Sequence, residues 1–424
     1  MPAFPSIYIR TDGNAKIATG HLMRCLSIAR ACVRLGAEVT FLVSDEESLA
    51  LLQERFDRAD EFNAHCLHSD YRRMMEEVPK LTAYPEQRVA VLPEISAPTT
   101  TVSAQSPVCS APTQSTKPWL FVDSYFATPA YFAALCPHCR VAYLDDLRRF
   151  PCDVDLVINY DTEEDCSFYA AAKQKLLGAA YTPLREQFAK PVYEVRPVVR
   201  NILLSTGGTD PYNVAEHLLG WIFDAESSSG TAPASTSDSA DAPDLLGTPD
   251  PAATAANLRI LRACDFHVVT SSANAHYDRL LALAKDNPQL HIHSGVTDMV
   301  ALMADCDLAV SAGGTTLCEL CAVGVPTVSY LMAENQRTAV ETFAARRLIP
   351  YAGDIRGGNS DAQNAAPAAS PESLPPVNIS TLDSIFSFLT QMSQNVEARK
   401  KSSHAMRAFL DGLGAERIAK ALLS

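Results

Sequence analysis

The sequence predicts a two-domain α/β protein with a parallel sheet in each domain, and three observations carry that expectation. The chain has 424 residues, more than one ordinary hydrophobic core accommodates. Short apolar runs of strand length alternate with stretches of helical periodicity, the pattern of βαβ units. A second series of such units starts after the Pro- and Val-rich connector Pro191 to Val199, so the boundary is expected near residues 190–200, with domains at 1–195 and 196–424.

The first domain opens with the β-like run Ser6 to Arg10, followed by a loop from Thr11 to Gly20 that contains Gly13 and Gly20. From His21 onward Leu22, Cys25, Leu26, Ala29, Cys32 and Val33 recur at helical spacing, Gly36 ends the helix, and Val39 to Val43 is a mostly apolar strand. Buried strands are expected again at Leu120 to Val122, Val141 to Leu144 and Leu156 to Ile158, each ending in polar residues: Asp123, then Asp145 and Asp146, then Asn159. Ligands of open parallel sheets sit beyond the carboxyl ends of the strands, although acidic residues there also cap helices and shape turns.

In the second domain the expected strands are Ile202 to Leu204, Phe266 to Val269, Leu290 to Ile292, Leu308 to Val310 and Thr327 to Tyr330. The tail from Thr381 reads as two helices, the second after Asn395. Three segments, about 82–117, 226–257 and 357–378, are rich in Pro, Ala, Ser and Thr and poor in aromatics, and read as flexible surface insertions without chemistry.

Composition narrows the function. A net charge of −14 argues against a nucleic-acid partner, which demands clustered Lys and Arg. An anionic ligand would have to be held by backbone N–H groups and helix N-termini. No apolar run approaches the roughly 18 residues of a spanning helix, and the N-terminus lacks the pattern of a signal peptide, so a cytoplasmic protein without membrane insertion is expected. The 12 cysteines are scattered. Cys136 and Cys139 form a C-x-x-C pair, but a zinc site needs about four ligands and no second pair lies nearby, so buried small hydrophobes are the better reading and no metal is expected.

Two loops point to phosphate. Ser311-Ala312-Gly313-Gly314-Thr315-Thr316 follows an apolar strand and leads into a helix from about Leu317, with Glu319 in its first turn as an acceptor for ribose hydroxyls. Ser205-Thr206-Gly207-Gly208-Thr209-Asp210 follows the first strand of the same domain. Neither matches the dinucleotide or P-loop pattern, so neither NAD nor ATP is supported and no cofactor is expected. In the first domain Thr19-Gly20-His21 lies where the opening loop meets its helix. A helix N-terminus disfavours the imidazolium, which makes His21 a candidate base as well as a candidate ligand contact or a plain helix-start residue.

Taken together, IRTDGNAKIATGHLMRCLSIA, VDSYF (122–126), YLDDL (143–147), YTPLREQF (181–188), LSTGGTDPYN (204–213), VTDMVALMADCDLAVSAGGTTLCE (296–319) and AENQ (333–336) resemble the UDP-2,4-diacetamido-2,4,6-trideoxy-β-L-altropyranose hydrolases of the PseG type and the related SpsG-type spore-coat polysaccharide proteins. The resemblance spans nearly the whole chain apart from the three insertions. It implies two Rossmann-like domains of the glycosyltransferase-B kind facing a cleft, with UDP on the second domain and a small UDP-sugar as the partner. The implied reaction is hydrolysis of the UDP-sugar to UDP and free sugar in pseudaminic-acid-type or surface polysaccharide biosynthesis. It further implies His21 as the base that activates water at the anomeric carbon. Gly20 and Tyr125 would help seat the substrate, Asn335 and Gln336 would lie by the sugar, Glu319 by the ribose, and Gly207, Gly208, Gly313, Gly314, Thr315 and Thr316 by the pyrophosphate. The sequence departs from the family pattern at Ala18, where glycine is usual, and at Asp123-Ser124-Tyr125, where D-H-Y is frequent. Both changes bear on the identity of the sugar more than on UDP. A UDP-sugar glycosyltransferase and a non-catalytic sugar-nucleotide-binding protein are the alternatives on the same scaffold.

Overall fold

The computed structural model describes residues 5–13, 20–56, 62–67, 117–161, 167–223, 254–357 and 375–424. The chain divides into two compact units: residues 1–186 with 412–424, and residues 187–411.

Unit 1 is a seven-stranded parallel sheet. In chain order its strands are β1 (Ser6–Thr11), β2 (Glu38–Val43), β3 (Asn63–Cys66), β4 (Trp119–Asp123), β5 (Arg140–Leu144), β6 (Leu156–Asn159) and β7 (Gln174–Leu177), arranged β3-β2-β1-β4-β5-β6-β7. The order reverses between β1 and β4, which pair from Ile7↔Trp119 to Thr11↔Asp123. That reversal is where an open sheet of this kind holds its ligand. Helices α1 (Gly20–Arg34), α2 (Glu46–Gln53) and α3 (Pro129–Leu135) supply the covering layers. Their starts follow local chemistry: the Asp45 carboxylate accepts from Ser48 N at α2, and the Thr128 hydroxyl accepts from Tyr131 N at α3, with Pro129 in the first turn.

The strands expected in this domain are present, and two were missed. β3 (Asn-Ala-His-Cys) and β7 (Gln-Lys-Leu-Leu) carry no apolar run because both lie at sheet edges, where one side needs no covering.

Unit 2 holds a six-stranded parallel sheet of β8 (Asn201–Ser205), β9 (Asp265–Thr270), β10 (Leu290–Ser294), β11 (Leu308–Ala312), β12 (Thr327–Leu331) and β13 (Tyr351–Asp354), in the order β10-β9-β8-β11-β12-β13. Its helices are α4 (Val214–Phe223), α5 (Thr254–Leu261), α6 (Tyr277–Asp286), α7 (Met299–Asp305), α8 (Thr315–Val323), α9 (Arg337–Ala345), α10 (Ile379–Gln394) and α11 (Val396–Phe409). β13 is the third missed strand, again at an edge.

Most of the three insertions lies outside the described residues. At their borders, α5 begins at Thr254, before the expected end of the second insertion. At the third, Gly357 N donates to Pro376 O at 2.8 Å and Arg356 bridges Val377, so its ends lie together and the inserted chain costs little closure entropy.

The domain division differs from the sequence reading at both ends. The break falls at residues 186–187, and the second domain does not run to the C-terminus. The tail holds three helices, not two, and the last, α12 (Gly414–Leu423), belongs to unit 1. Its spacing of Ala415, Ile418, Ala419 and Leu422 forms one apolar stripe that joins the unit 1 core with Leu22, Leu26 and Ile28 of α1. Ile418→Ala is expected to lower the unfolding free energy of unit 1 by about 2–5 kcal/mol in denaturant melts.

Candidate functional site

The site in unit 1 is built at the carboxyl ends of β1, β4, β5 and β6. Its base is the short segment after β1, which is held in place before α1 begins. Arg10 donates to Asp12 Oδ1 at 2.7 Å and to Leu42 O at 3.3 Å, and Asp12 Oδ1 accepts from Ser44 N and Ser44 Oγ, both at 2.7 Å. Gly13 N donates to Ser48 Oγ at 3.1 Å. The chain thus leaves the sheet anchored to the start of α2. Residues 14–19 lie outside the described set.

α1 then presents His21, Arg24 and Cys25 on one face, as positions i, i+3 and i+4 require. All three converge on Asp123, whose side chain is 1% exposed at the end of β4. His21 Nδ1 lies 2.6 Å from Asp123 Oδ1. Arg24 Nη2 donates to the same oxygen and Arg24 Nε to Oδ2, both at 2.6 Å, and Cys25 Sγ donates to Oδ2 at 3.3 Å.

Burial alone would raise the Asp123 carboxyl. The Arg24 charge and the hydrogen bonds from Arg24 and His21 more than offset it and hold the group well below the usual carboxylate range. Asp123 is therefore ionised, and a carboxylate oxygen 2.6 Å from Nδ1 demands an N–H there, since a bare lone pair would be repelled. His21 accordingly carries its hydrogen on Nδ1 in the neutral ring, which makes Nε2 the acceptor nitrogen.

Arg24 continues outward. Its Nη1 donates to Asp146 Oδ2 at 3.0 Å and to the Tyr160 hydroxyl at 2.6 Å. Tyr125, exposed at the rim, donates its hydroxyl to Asp146 Oδ2 at 3.2 Å and sets its ring edge-on to His21 with centroids 4.5 Å apart. Burial and the neighbouring Asp146 push the Tyr125 phenol up to about 12, so the hydroxyl stays a donor. Of the neighbouring pair, Asp145 instead accepts from Leu147 N, Arg148 N and the Tyr169 hydroxyl, and shapes the turn.

Asp123, Arg24, Asp146 and Tyr160 were not among the expected site residues. Arg24 stood in the motif three residues after His21, and Asp123 and Asp146 stood at strand ends. The register that brings those ends together is a property of the sheet. Gly20, the first residue of α1, is exposed with open space around it.

In unit 2 three loops meet at the carboxyl ends of β8, β11 and β12. Gly207 takes a left-handed φ of +81°, and a Cβ there would lie 3.2 Å from Met332 Cε; the Gly208 carbonyl accepts from Ser271 Oγ at 2.7 Å. Gly313 is closed in: a Cβ would lie 2.3 Å from Val340 Cγ1 and 3.1 Å from Gln336 Cβ. Gln336 Oε1 accepts from Met332 N at 3.2 Å, and its Nε2 flanks Gly314. Asn335 is exposed in the turn Glu334–Gln336, whose Glu334 is bonded to Arg337 and Arg356.

Two expectations about this loop are corrected. The helix starts at Thr315, not near Leu317, because Gly314 serves as N-cap. Glu319 therefore falls in the second turn and is buried. No side chain caps α8, and Thr315 and Thr316 are its first residues. The structure thus gathers Gly207, Gly313, Gly314 and Gln336 in unit 2, and His21 and Tyr125 in unit 1.

The Cys136 and Cys139 thiols donate to the carbonyls of Asp153 and Leu135. Among the described residues no group of three His, Cys, Asp or Glu is placed to hold a metal, and no helix is long and apolar enough to cross a membrane.

Two measurements check the energetics. Gly313→Ala is expected to destabilise unit 2 by about 1–3 kcal/mol, with Val340→Ala in the same chain recovering part of the loss. Burial, then the charge of Asp146, raises the Asp161 carboxyl from 3.8 to about 6. The folded state then binds the extra proton, so the contribution is favourable below that window and is lost as pH rises through about 6. Asp161→Asn is expected to stabilise unit 1 by on the order of 1–3 kcal/mol at pH 7.5 and to change little near pH 3.5 in urea melts.

No known family model matches the chain. It is 25% identical over 158 residues to the spore coat polysaccharide biosynthesis protein SpsG of Bacillus subtilis, a match covering 37% of each chain. It is 36% identical over 78 residues to the UDP-N-acetylglucosamine–N-acetylmuramyl-(pentapeptide) pyrophosphoryl-undecaprenol N-acetylglucosamine transferase of Lacticaseibacillus casei, covering 18% of this chain and 22% of that one. The chain therefore spans well under half the length of the curated relatives it matches. Among solved structures, Acinetobacter baumannii MurG superposes with a TM-score of 0.51 at 10% identity, covering 99% of both chains. A Listeria monocytogenes protein described as a UDP-N-acetylglucosamine 2-epimerase superposes with a TM-score of 0.52 at 11% identity, covering 99% of this chain and 96% of that one. At these identities the likeness is one of fold, and the fold is the glycosyltransferase-B type, with two Rossmann-like parallel-sheet domains.

Proposed function

We propose that the protein is a UDP-sugar-dependent enzyme that moves the sugar from UDP to an oxygen nucleophile, with His21 as the base. The observation that carries this reading is the 2.6 Å contact between His21 Nδ1 and the buried Asp123 carboxylate, which makes Nε2 the ring nitrogen that can take a proton. In this scheme the nucleophile's O–H gives its proton to Nε2 as its oxygen bonds to the anomeric carbon. The bond from that carbon to the β-phosphate oxygen breaks, and UDP leaves with the electron pair.

UDP is assigned to unit 2. Its pyrophosphate would lie against Gly207-Gly208 and Gly313 to Thr316, at a helix start whose N-cap is Gly314. Glu319 would serve the ribose, and Asn335 and Gln336 the sugar. Because the leaving group is already stabilised, a placed nucleophile and one base suffice.

The named N-acetylglucosamine transferase relatives support a UDP-N-acetylglucosamine-type donor and transfer of its sugar to an acceptor. Hydrolysis, with water in the acceptor's place, is the second reading. It is favoured by the ATGH-x-MRC and AENQ elements and by the SpsG match.

The experiment follows UDP release from UDP-N-acetylglucosamine and from UDP-diacetamido-trideoxy sugars, with and without hydroxyl-bearing glycan acceptors. Release only with acceptor supports transfer, and release without it supports hydrolysis. Binding of every donor with no release under any condition overturns the enzymatic reading. His21→Ala and Asp123→Asn are each expected to lower kcat by about 10²–10⁴-fold.

A further inference from the structure

We propose that Arg24 is the positioning residue of this site: one guanidinium sets the tautomer of His21 through Asp123 and ties the base to the substrate-seating Tyr125 through Asp146. The proposal rests on the reading of His21 as the base, and goes beyond it in assigning what holds the base ready.

The geometry is that of a two-edged fork. The Nε/Nη2 edge grips both oxygens of Asp123 at 2.6 Å, which fixes the plane of the carboxylate and aims Oδ1 at Nδ1 of His21. Nη1 reaches Asp146 Oδ2, the oxygen that also accepts the Tyr125 hydroxyl. Nη2 lies 3.0 Å from His21 Nδ1 as well. Since Nη2 already donates to Asp123 and Nδ1 carries a hydrogen toward the same oxygen, that contact is between two donors sharing one acceptor.

The charged and titratable groups around Arg24 come from every element packed on it: His21 and Cys25 of α1, Asp123 and Tyr125 after β4, Asp146 after β5, and Tyr160 and Asp161 after β6. Among the described residues Arg24 is the cation that faces Asp123, Asp146 and Asp161 together. Without it Asp123, 1% exposed, loses the arginine that offsets the cost of its burial, and its carboxyl is driven toward the protonated form. A neutral Asp123 no longer demands the hydrogen on Nδ1, and Nε2 loses its standing as the acceptor. Lysine supplies the charge but not the fork, so it replaces only part of this.

The test has a readout that needs no substrate. Long-range ¹H–¹⁵N correlation on the full chain reports which ring nitrogen of His21 bears hydrogen. The wild type is expected to show Nδ1–H with bare Nε2. Finding the proton on Nε2 in the wild type overturns the proposal without recourse to any variant. Arg24→Gln is expected to shift His21 toward the Nε2–H form, to lower kcat by about 10²-fold or more, and to displace the acid limb of the pH–rate profile upward. The affinity of UDP itself, bound by unit 2, should stay within about twofold.

Arg24→Lys should fall between the two in both tautomer and rate. Arg24→Gln combined with Asp123→Asn should lose little more than either alone, as residues acting as one unit do. A folded Arg24→Gln protein with wild-type tautomer and pH profile, or losses that multiply in the double variant, overturns the proposal. If His21→Ala retains full activity, the functional reading fails instead, and the tautomer measurement still decides the role of Arg24.

Discussion

The site in unit 1 depends on a carboxylate placed where water does not reach. Asp123 sits at the end of β4 with its charge intact, and a charge in that position persists only when a cation and hydrogen-bond donors surround it. That requirement fixes which face α1 turns to the β1–β4 junction, because His21, Arg24 and Cys25 must arrive there together. It also draws in the ends of β5 and β6, through Asp146 and Tyr160. Shifting β4 by one residue in its register would turn Asp123 to the other face of the sheet and strip Arg24 of its two-oxygen partner, leaving Asp146 and Tyr160. Folding and chemistry therefore share one constraint, and the base is oriented by the same contact that keeps the core acceptable.

Unit 2 solves a different problem with backbone. The proposed pyrophosphate site there relies on glycine loops and a helix start whose N-cap, Gly314, has no side chain, which suits a chain with a net charge of −14. The closeness of Gly313 to Val340 and Gln336 makes the loop a packed element, so its shape is set by α9 behind it as much as by the glycines themselves.

Much of the fold was legible in the sequence because burial on both faces writes itself as an apolar run. The strands read from the sequence are the interior ones and the edge strand β10. β3, β7 and β13 escaped because an edge strand needs no such run. The C-terminal helix was missed both as a separate helix and as a part of unit 1, since an amphipathic stripe states that it must be covered and not by what. Glu319 was misplaced by one turn because α8 starts at Thr315, after Gly314, and not near Leu317.

Of the site, the sequence by itself determined the residue types and their local spacing: a histidine at a helix start, an arginine one turn on, acids closing the strands, and glycines before α8. Those are consequences of chain geometry over a few residues. Only the tertiary structure decided that Asp123, 102 positions beyond His21, is the partner that orients it, and that Asp146 rather than Asp145 faces the site. The order of strands in a parallel sheet and the register between them come from packing of whole layers. No stretch of sequence short enough to be read as a motif contains that information.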